Sequence, residues 1–396
     1  MKQNVSIVLI GIGGYGDLYV QAILEQKYNA TLVGVVDIHP EKCPHYQQLI
    51  ERHIPIFSSI EAFYKNSNAD LAIISTPIHL HTSHTCYALE HGSHVLCEKP
   101  ISPTVQDARK IIETQKTTGK YVAIGFNWSF TSSIQQLKQD IMEGAFGKAQ
   151  QLKTIVLWPR NHSYFTRAPW AGRKWSNKGE LILDSVASNA TAHFLHNMFY
   201  LLGEDSNKSA PLKTVTAELY RANAIENFDT CAARIFTQDD VEVLFYASHA
   251  VTELLEPTFV YEFEKATLTY SKGETITACF HNGDKKVYSD PEQQHFQKLP
   301  ACIEAVSSGR ATALCGPEAA YSHILSINGM QDSVPDITTF PQNQIKDDNG
   351  ELTWVQGLSE SFREAYNQGV LPSEMNVSWA NKGKTITLTN YKEYNG

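Results

Sequence analysis

Short apolar runs rich in β-branched residues alternate with helical patterns along the first 125 residues. The runs fall at Val5–Ile10, 31–37, 71–75, His94–Cys97 and 121–124. None of them alternates with polar residues, which is typical of strands that are covered on both faces. Strands separated by helices indicate a parallel sheet with crossover connections. We therefore predict a doubly wound α/β domain over residues 1–125.

From residue 126 the pattern changes to period-two strands, which are typical of an antiparallel sheet with two different faces. They fall at 149–158, 214–220, 230–236, 241–248, 258–264 and 267–270, with a late strand at 384–388. Helices are predicted at Ser132–Met142, 188–202, 297–307 and 318–330. These elements predict an α+β domain over residues 126–396, built on a large and mainly antiparallel sheet.

The composition is that of a compact globular protein. With 396 residues the chain exceeds the usual size of one hydrophobic core, so two domains are expected. A net charge of -9 without basic runs makes nucleic acid and anionic membranes poor partners. The first apolar stretch ends in glycines, so neither a signal peptide nor a membrane span is predicted, and we expect a cytoplasmic protein.

The cysteines and a histidine cluster bear on metal binding. Seven cysteines stand at irregular spacing without a C-x-x-C pair, which predicts reduced and mostly buried thiols. His79, His81 and His84 form an H-x-H-x-x-H pattern, but no cysteine or carboxylate with ligand spacing joins them. We predict no metal site.

A glycine-rich turn follows the first strand and opens the first helix. It comprises Gly11, Ile12, Gly13, Gly14, Tyr15 and Gly16, with the spacing G-x-G-x-x-G. Gly11 permits the tight turn, Gly13 lets the backbone approach a pyrophosphate, and Gly16 allows the helix to pack on the strand. The helix N-terminus adds amide donors and positive potential. The turn predicts a Rossmann dinucleotide-binding domain.

Asp37 ends the next apolar strand, 21 residues after Gly16. A carboxylate at that point accepts hydrogen bonds from the adenosine ribose and repels a 2'-phosphate. NAD is therefore predicted and NADP is less favoured, although Lys42 is close enough in sequence to meet a phosphate.

Two further motifs fall where loops leave the carboxyl edge of the sheet, at Thr76-Pro77 and at Glu98-Lys99-Pro100. With the glycine turn, the runs 75–81 and 94–100, and Gly125-Phe126-Asn127, they make the chain resemble the Gfo/Idh/MocA oxidoreductases. The resemblance implies a Rossmann domain followed by an open-faced sheet, through which members pair as homodimers or homotetramers. It also implies a small sugar, cyclitol or related hydroxy compound as substrate.

The same resemblance assigns roles to residues at this edge. It places Lys99 beside the nicotinamide and the substrate hydroxyl. From their position at the same sheet edge we expect Thr76, Pro77, His81 and Glu98 near the cofactor, with Asn127 near the substrate. Chemistry supports Lys99 independently, because an amine beside the hydroxyl can relay its proton while the carbon–hydrogen bond breaks. A solvated surface lysine is the alternative.

Members of the family commonly carry an aspartate followed four residues later by a histidine that acts as general acid or base. Asp184 matches the aspartate, but Ser188 stands where the histidine is expected. Asn189 and His193 are the nearby candidates to replace it. A buried core histidine is an equal alternative for His193.

An aromatic and basic loop at 158–175 is the second substrate candidate. Its residues Tyr164, Arg167, Trp170 and Arg173 suit a sugar ring or an acidic sugar derivative, since rings stack on sugars and arginines pair with anions. Packing against a neighbouring subunit is the alternative.

Three functions compete: a dehydrogenase or reductase, redox-neutral NAD-dependent cleavage of a carbon–oxygen bond, and a non-catalytic dinucleotide sensor.

Overall fold

A computed structural model describes residues 4–25, 28–310 and 312–396, and residues 1–3, 26, 27 and 311 of the two predicted domains lie outside it. The first part of the chain forms the strands β1 (Val5–Ile10), β2 (Ala30–Val36), β3 (Ile56–Phe57), β4 (Leu71–Ile74), β5 (His94–Cys97) and β6 (Val122–Ile124). Its helices are α1 (Tyr15–Glu25), α2 (Tyr46–Glu51), α3 (Ile60–Asn66), α4 (His81–Glu90) and α5 (Val105–Thr118).

These strands make one parallel sheet in the order β3-β2-β1-β4-β5-β6. The central strand β4 is buried along its whole length, as its continuous apolar sequence predicts. The order reverses between β1 and β4, and such a reversal opens a ligand crevice at the carboxyl edge. The predicted Rossmann architecture is confirmed.

The remainder of the chain forms a larger mixed sheet. Its strands are β7 (Ala149–Leu157), β8 (Leu212–Arg221), β9 (Thr230–Thr237), β10 (Glu242–Ser248), β11 (Leu255–Phe263), β12 (Ala266–Ser271), β13 (Ile276–Phe280), β14 (Lys285–Tyr288), β15 (Thr338–Thr339), β16 (Ile345–Asp348), β17 (Leu352–Val355) and β18 (Ile386–Thr387). The order β14-β13-β12-β11-β7-β10-β9-β8-β15 is antiparallel except at β7–β10 and β8–β15, and β16 pairs with β17 apart from it. A mainly antiparallel sheet is thus confirmed.

The two faces of this sheet are covered differently. The helices of this part are α6 (Ser132–Met142), α7 (His162–Thr166), α8 (Ala192–Leu201), α9 (Lys298–Ser307), α10 (Pro317–Ser333) and α11 (Leu358–Gln368). One face joins α8 and α10 in the main core. The other face is covered over β7–β10 by α11, where Phe362 and Tyr366 pack beside Trp379. Over β12–β14 it keeps exposed side chains such as Thr269 and Val287.

The second part of the chain also packs onto the first sheet. Helix α9 contacts β1 and β5, and α10 contacts α5 and β6. The Ile124 amide donates to the Cys315 carbonyl at 2.8 Å. The division at residue 125 therefore stays a prediction, although the parallel sheet ends at Ile124.

Two general expectations can be compared with the structure. All seven cysteines are free thiols, and only Cys279 is partly exposed, as predicted. No helix within the described ranges has the length and apolar character to cross a membrane.

Candidate functional site

The glycine turn has the backbone that its sequence requires. Gly11 lies at φ +84°, and a Cβ there would come within 2.7 Å of the Ser75 carbonyl oxygen. A Cβ on Gly16 would lie 2.1 Å from the Gly11 oxygen. A Cβ on Gly13 would meet nothing within 4 Å, so open space remains at the start of α1. Glycine is needed at both ends for packing, and the middle is a cradle that fits a pyrophosphate.

Asp37 lies beside this turn. Its Oδ2 accepts from the Ile12 amide at 2.8 Å, and its Oδ1 accepts from the His39 amide at 2.8 Å. The next residue, Ile38, leaves 76% of its surface exposed. A carboxylate beside the phosphate cradle with an apolar side chain next to it suits an adenosine group.

His81 joins the two loops at the sheet edge. Its Nδ1 lies 2.7 Å from the Pro100 carbonyl oxygen and its Nε2 lies 2.9 Å from the Thr76 carbonyl oxygen. The peptide between Lys99 and Pro100 is cis. Because both ring nitrogens face backbone, His81 holds Thr76-Pro77 and Lys99 together, which differs from the predicted contact with a ligand.

Lys99 is anchored by a chain of polar side chains. Its Nζ donates to the backbone oxygen and to Oδ1 of Asn189, both at 2.7 Å. Asn189 Nδ2 donates to Asp184 Oδ1 at 2.8 Å, and Asp184 Oδ2 accepts from the Gly172 amide at 2.7 Å. Burial lowers the pKa of Lys99 to about 8 and raises the pKa of Asp184. The sequence-predicted residues Lys99, Asp184 and Asn189 are thus brought together.

A π-helical turn over Val186–Ala190 explains why Asn189, and not Ser188, reaches this chain. The wider turn shifts the register by one residue, so the fifth residue after Asp184 faces its carboxylate. Ser188 instead closes the turn, where its Oγ donates to the Leu183 oxygen at 2.7 Å and accepts from the Ser185 amide. Leu183 lies at φ +54°, a conformation that is costly for leucine and that marks this segment as constrained.

His193 stands beside the same group. Its Nδ1 is buried and has no hydrogen-bond partner among the residues that the structure describes. Burial and the nearby positive charges of Lys99 and Lys298 hold its pKa well below the ordinary histidine value. Its ring meets the Phe126 ring edge-on, with centroids 5.9 Å apart. His193 is therefore a neutral imidazole near Lys99. It lies close to the site, as a replacement base would, and its Nδ1 is buried, as in a core histidine.

Lys298 is a site residue that the sequence analysis did not predict. It is fully buried at the start of α9, and its Nζ is hydrogen-bonded to Glu98 Oε1, which also accepts from the Tyr19 hydroxyl at 2.6 Å. Its Nζ lies 4.6 Å from the centroid of the Tyr15 ring. Burial alone would lower the pKa of Lys298, but the Glu98 charge raises it. No local motif marks position 298, because its partner lies 200 residues earlier.

Asn127 is fixed from the second domain. Its Nδ2 donates to His295 Nε2 at 3.0 Å, and its buried Oδ1 has no partner in the described part of the chain. That free acceptor keeps Asn127 a candidate for a ligand contact.

The aromatic and basic loop divides into two parts. Arg167 lies over the rings of Tyr164 and Trp170, at 3.8 and 4.8 Å from their centroids. Its charge is close enough to lower the pKa of Lys99, so this part borders the lysine. Arg173, in contrast, pairs with the Glu226 carboxylate at 2.9 Å, so its charge already has a partner, and its predicted substrate contact stays a prediction.

The first third of the chain is similar in sequence to known oxidoreductases. Residues 5–126 match the GFO_IDH_MocA family model, described as an oxidoreductase family with an NAD-binding Rossmann fold. The D-glucoside 3-dehydrogenase of Escherichia coli K12 is 28% identical over 144 residues, which are 36% of this chain and 40% of that protein. The inositol 2-dehydrogenase of Rhodococcus jostii RHA1 is 30% identical over 148 residues, which are 37% and 40% of the two chains. The matched segments thus span about two fifths of these relatives.

A likeness to solved structures extends over more of the chain. The WlbA dehydrogenase of Chromobacterium violaceum, solved with NADH and UDP-GlcNAcA, superposes with a TM-score of 0.71 at 18% identity. The match covers 90% of this chain and 97% of that one. At this identity it shows a shared fold. The family match over residues 5–126 confirms the resemblance seen in the motifs of that segment.

Proposed function

We propose that the whole protein is an NAD-dependent dehydrogenase or reductase, on the premise that its residues 5–126 match the NAD-binding Rossmann fold of the Gfo/Idh/MocA oxidoreductase family. Its reaction is hydride transfer to or from a secondary hydroxyl of a sugar, cyclitol or related compound. The observation that carries the proposal is Lys99, whose lowered pKa and fixed Nζ stand at the edge of a dinucleotide cradle.

The residues at the cradle account for cofactor binding. The turn from Gly11 to Gly16 would hold the pyrophosphate, and Asp37 would accept from the adenosine ribose, which favours NAD over NADP. When bound, the nicotinamide accepts the hydride in oxidation or supplies it in reduction.

The protein's own part in the reaction is to move the hydroxyl proton. In oxidation the neutral Lys99 amine takes this proton from the hydroxyl oxygen as the hydride leaves the carbon that carries the hydroxyl. In reduction the Lys99 ammonium returns the proton to that oxygen. Asn189 has no titratable group, so it holds Nζ in place and cannot relay a proton. Asp184 orients Asn189 in turn. His193 is the second candidate to share the proton, because its Nδ1 is free in the described structure.

The test uses the purified protein with NAD and a panel of sugars and cyclitols that includes D-glucose and myo-inositol. We expect NADH to accumulate with a member of the panel. We expect Lys99→Met to lower kcat by about a hundredfold or more while NADH binding is retained. Lys65→Met, at an exposed lysine of α3, is the control and should keep full activity.

Three results would contradict the proposal. Carbon–oxygen cleavage without net NADH would indicate the redox-neutral function. NAD binding without turnover of any compound would indicate a sensor. Full activity in Lys99→Met would remove Lys99 from the mechanism.

Assembly and location are part of the same proposal. We propose a homodimer or homotetramer that pairs through the sheet face over β12–β14, since α11 covers the face beside it. Light scattering would test this, and a monomer at micromolar concentration would reject it. The cytoplasmic location stays a prediction.

A further inference from the structure

Two arginines share one tyrosine ring beside the proposed reaction centre. The guanidinium carbon of Arg167 lies 3.8 Å from the centroid of Tyr164, and that of Arg160 lies 4.9 Å from the same centroid. Among the described residues, neither guanidinium has a carboxylate within ion-pair distance. Arg160 Nε is buried without a hydrogen-bond partner in the part of the chain that the structure describes.

The two arginines differ from three other arginines of the described chain. The guanidinium groups of Arg173, Arg234 and Arg363 each pair with a glutamate. Two like charges held against one ring repel each other, and a buried donor without a partner costs free energy. Both costs are removed when an anion is bound between the two side chains.

The pair lies next to the groups that the proposed function uses. The charge of Arg167 lowers the pKa of both Lys99 and Asp184, and the charge of Asp184 raises that of Tyr164. The loop is fixed to the site because the Gly172 amide donates to Asp184. An anionic group held by the arginines would therefore belong to the molecule whose hydroxyl meets Lys99.

We propose that Arg160 and Arg167 form a carboxylate subsite and that the substrate is a sugar acid, a step that rests on the proposed function. Contact with the Tyr164 and Trp170 rings and a hydrogen bond from Nη1 to the Tyr164 carbonyl oxygen hold Arg167 in place. A planar guanidinium fork matches a planar carboxylate in two parallel hydrogen bonds. The same rings offer apolar surface to the sugar.

Binding is measured by calorimetry on the full chain with NADH present, so that the result does not depend on turnover. The probes are D-glucuronate and D-galacturonate, with D-glucose and D-galactose as neutral counterparts and D-glucose 6-phosphate as a different anion. We expect one sugar acid to bind at least tenfold tighter than its neutral counterpart. We expect Arg160→Met and Arg167→Met each to weaken that acid by about tenfold to a hundredfold, without an effect on the neutral sugar.

Arg363→Met, at a surface arginine paired with Glu253, is the matched control and should bind as the wild type does. Arg167→Lys keeps the charge but loses the fork, and we expect it to bind the acid more weakly than the wild type and more tightly than Arg167→Met. This variant preserves the test if the methionine variant fails to fold.

Each result decides the inference. Equal binding of acids and neutral sugars, or unchanged acid binding in both arginine variants, would overturn it. Preferred binding of the phosphate would overturn the carboxylate assignment. Arginine-dependent binding of a sugar acid without any NADH formation would support the subsite and reject the proposed dehydrogenase, so the two failures are distinguishable.

Discussion

Asn189 Nδ2 donates to Asp184 Oδ1 at 2.8 Å across a π-helical turn, and the same side chain accepts from Lys99 Nζ through its Oδ1. An amide therefore links the lysine to the aspartate, and the position where the family resemblance expects a histidine is held by Ser188. An amide holds a proton donor in place but does not exchange protons near neutral pH. In the proposed mechanism, Lys99 and His193 are therefore the groups that can carry the proton.

The first prediction concerns pH. Because burial lowers the pKa of Lys99 to about 8, oxidation should speed up as the pH rises through this value and the neutral amine forms. Reduction should slow down over the same interval, since it needs the ammonium. The pH profiles of kcat in both directions, at saturating cofactor, measure this. An inflection well below the ordinary histidine range that disappears in His193→Gln would assign the proton to the imidazole instead.

The second prediction separates two adjacent residues. Asn189→Ala removes the side-chain hydrogen bond to Lys99 Nζ and the link to Asp184, while the backbone contact stays, so we expect turnover to fall by about tenfold or more with little loss of stability. Ser188→Ala removes the cap of the turn and should cost about 1 kcal/mol of unfolding free energy with turnover nearly kept. Steady-state kinetics and urea unfolding of both variants test whether one change lowers turnover and the other lowers stability. The reverse pattern would place Ser188, and not Asn189, in the site.

The third prediction concerns the buried pair of Lys298 and Glu98. Lys298→Met leaves the Glu98 carboxylate buried without its cation, and we expect a loss of about 3–5 kcal/mol of unfolding free energy. The double variant with Glu98→Gln should recover part of this loss. An additive double variant would show that the two groups are not coupled.

The same pair predicts a pH dependence of stability. Burial would raise the folded-state pKa of Glu98, but the charge of Lys298 outweighs this effect and lowers the pKa. A lowered carboxyl pKa gives stability that is present above the unfolded pKa and is lost as the pH falls through the folded value. The difference in unfolding free energy between wild type and Lys298→Met should therefore shrink in acid. A difference that stays constant down to pH 3 would contradict this assignment.

The fourth prediction concerns cofactor choice. Asp37→Asn removes the charge beside the phosphate cradle, so NADH binding should weaken by about tenfold and the preference over NADPH should narrow. Fluorescence titration with both reduced cofactors measures it. Glu41→Gln, at an exposed carboxylate nearby, serves as control. Unchanged affinities for both cofactors in Asp37→Asn would place the adenosine elsewhere.

The sequence by itself determined the features that depend on local patterns. The apolar strands, the glycine turn and the lysine after β5 are visible because burial on both faces and tight turns each demand particular residues at fixed spacing. Helix α11 also carries such a signal, since Leu358, Phe362 and Tyr366 recur at every fourth position, but the prediction missed it.

Only the tertiary structure decided the partners of the site residues. Lys298 reaches Glu98 because α9 packs against the first sheet, and no spacing in the chain encodes that contact. The π-turn that exchanges Ser188 for Asn189 is a one-residue shift, smaller than the helical period that sequence patterns resolve. Arg167 and Arg173 look alike in sequence, and their charge pairing differs because Glu226 lies beside only one of them. Charge pairing follows from proximity in space, which folding alone creates.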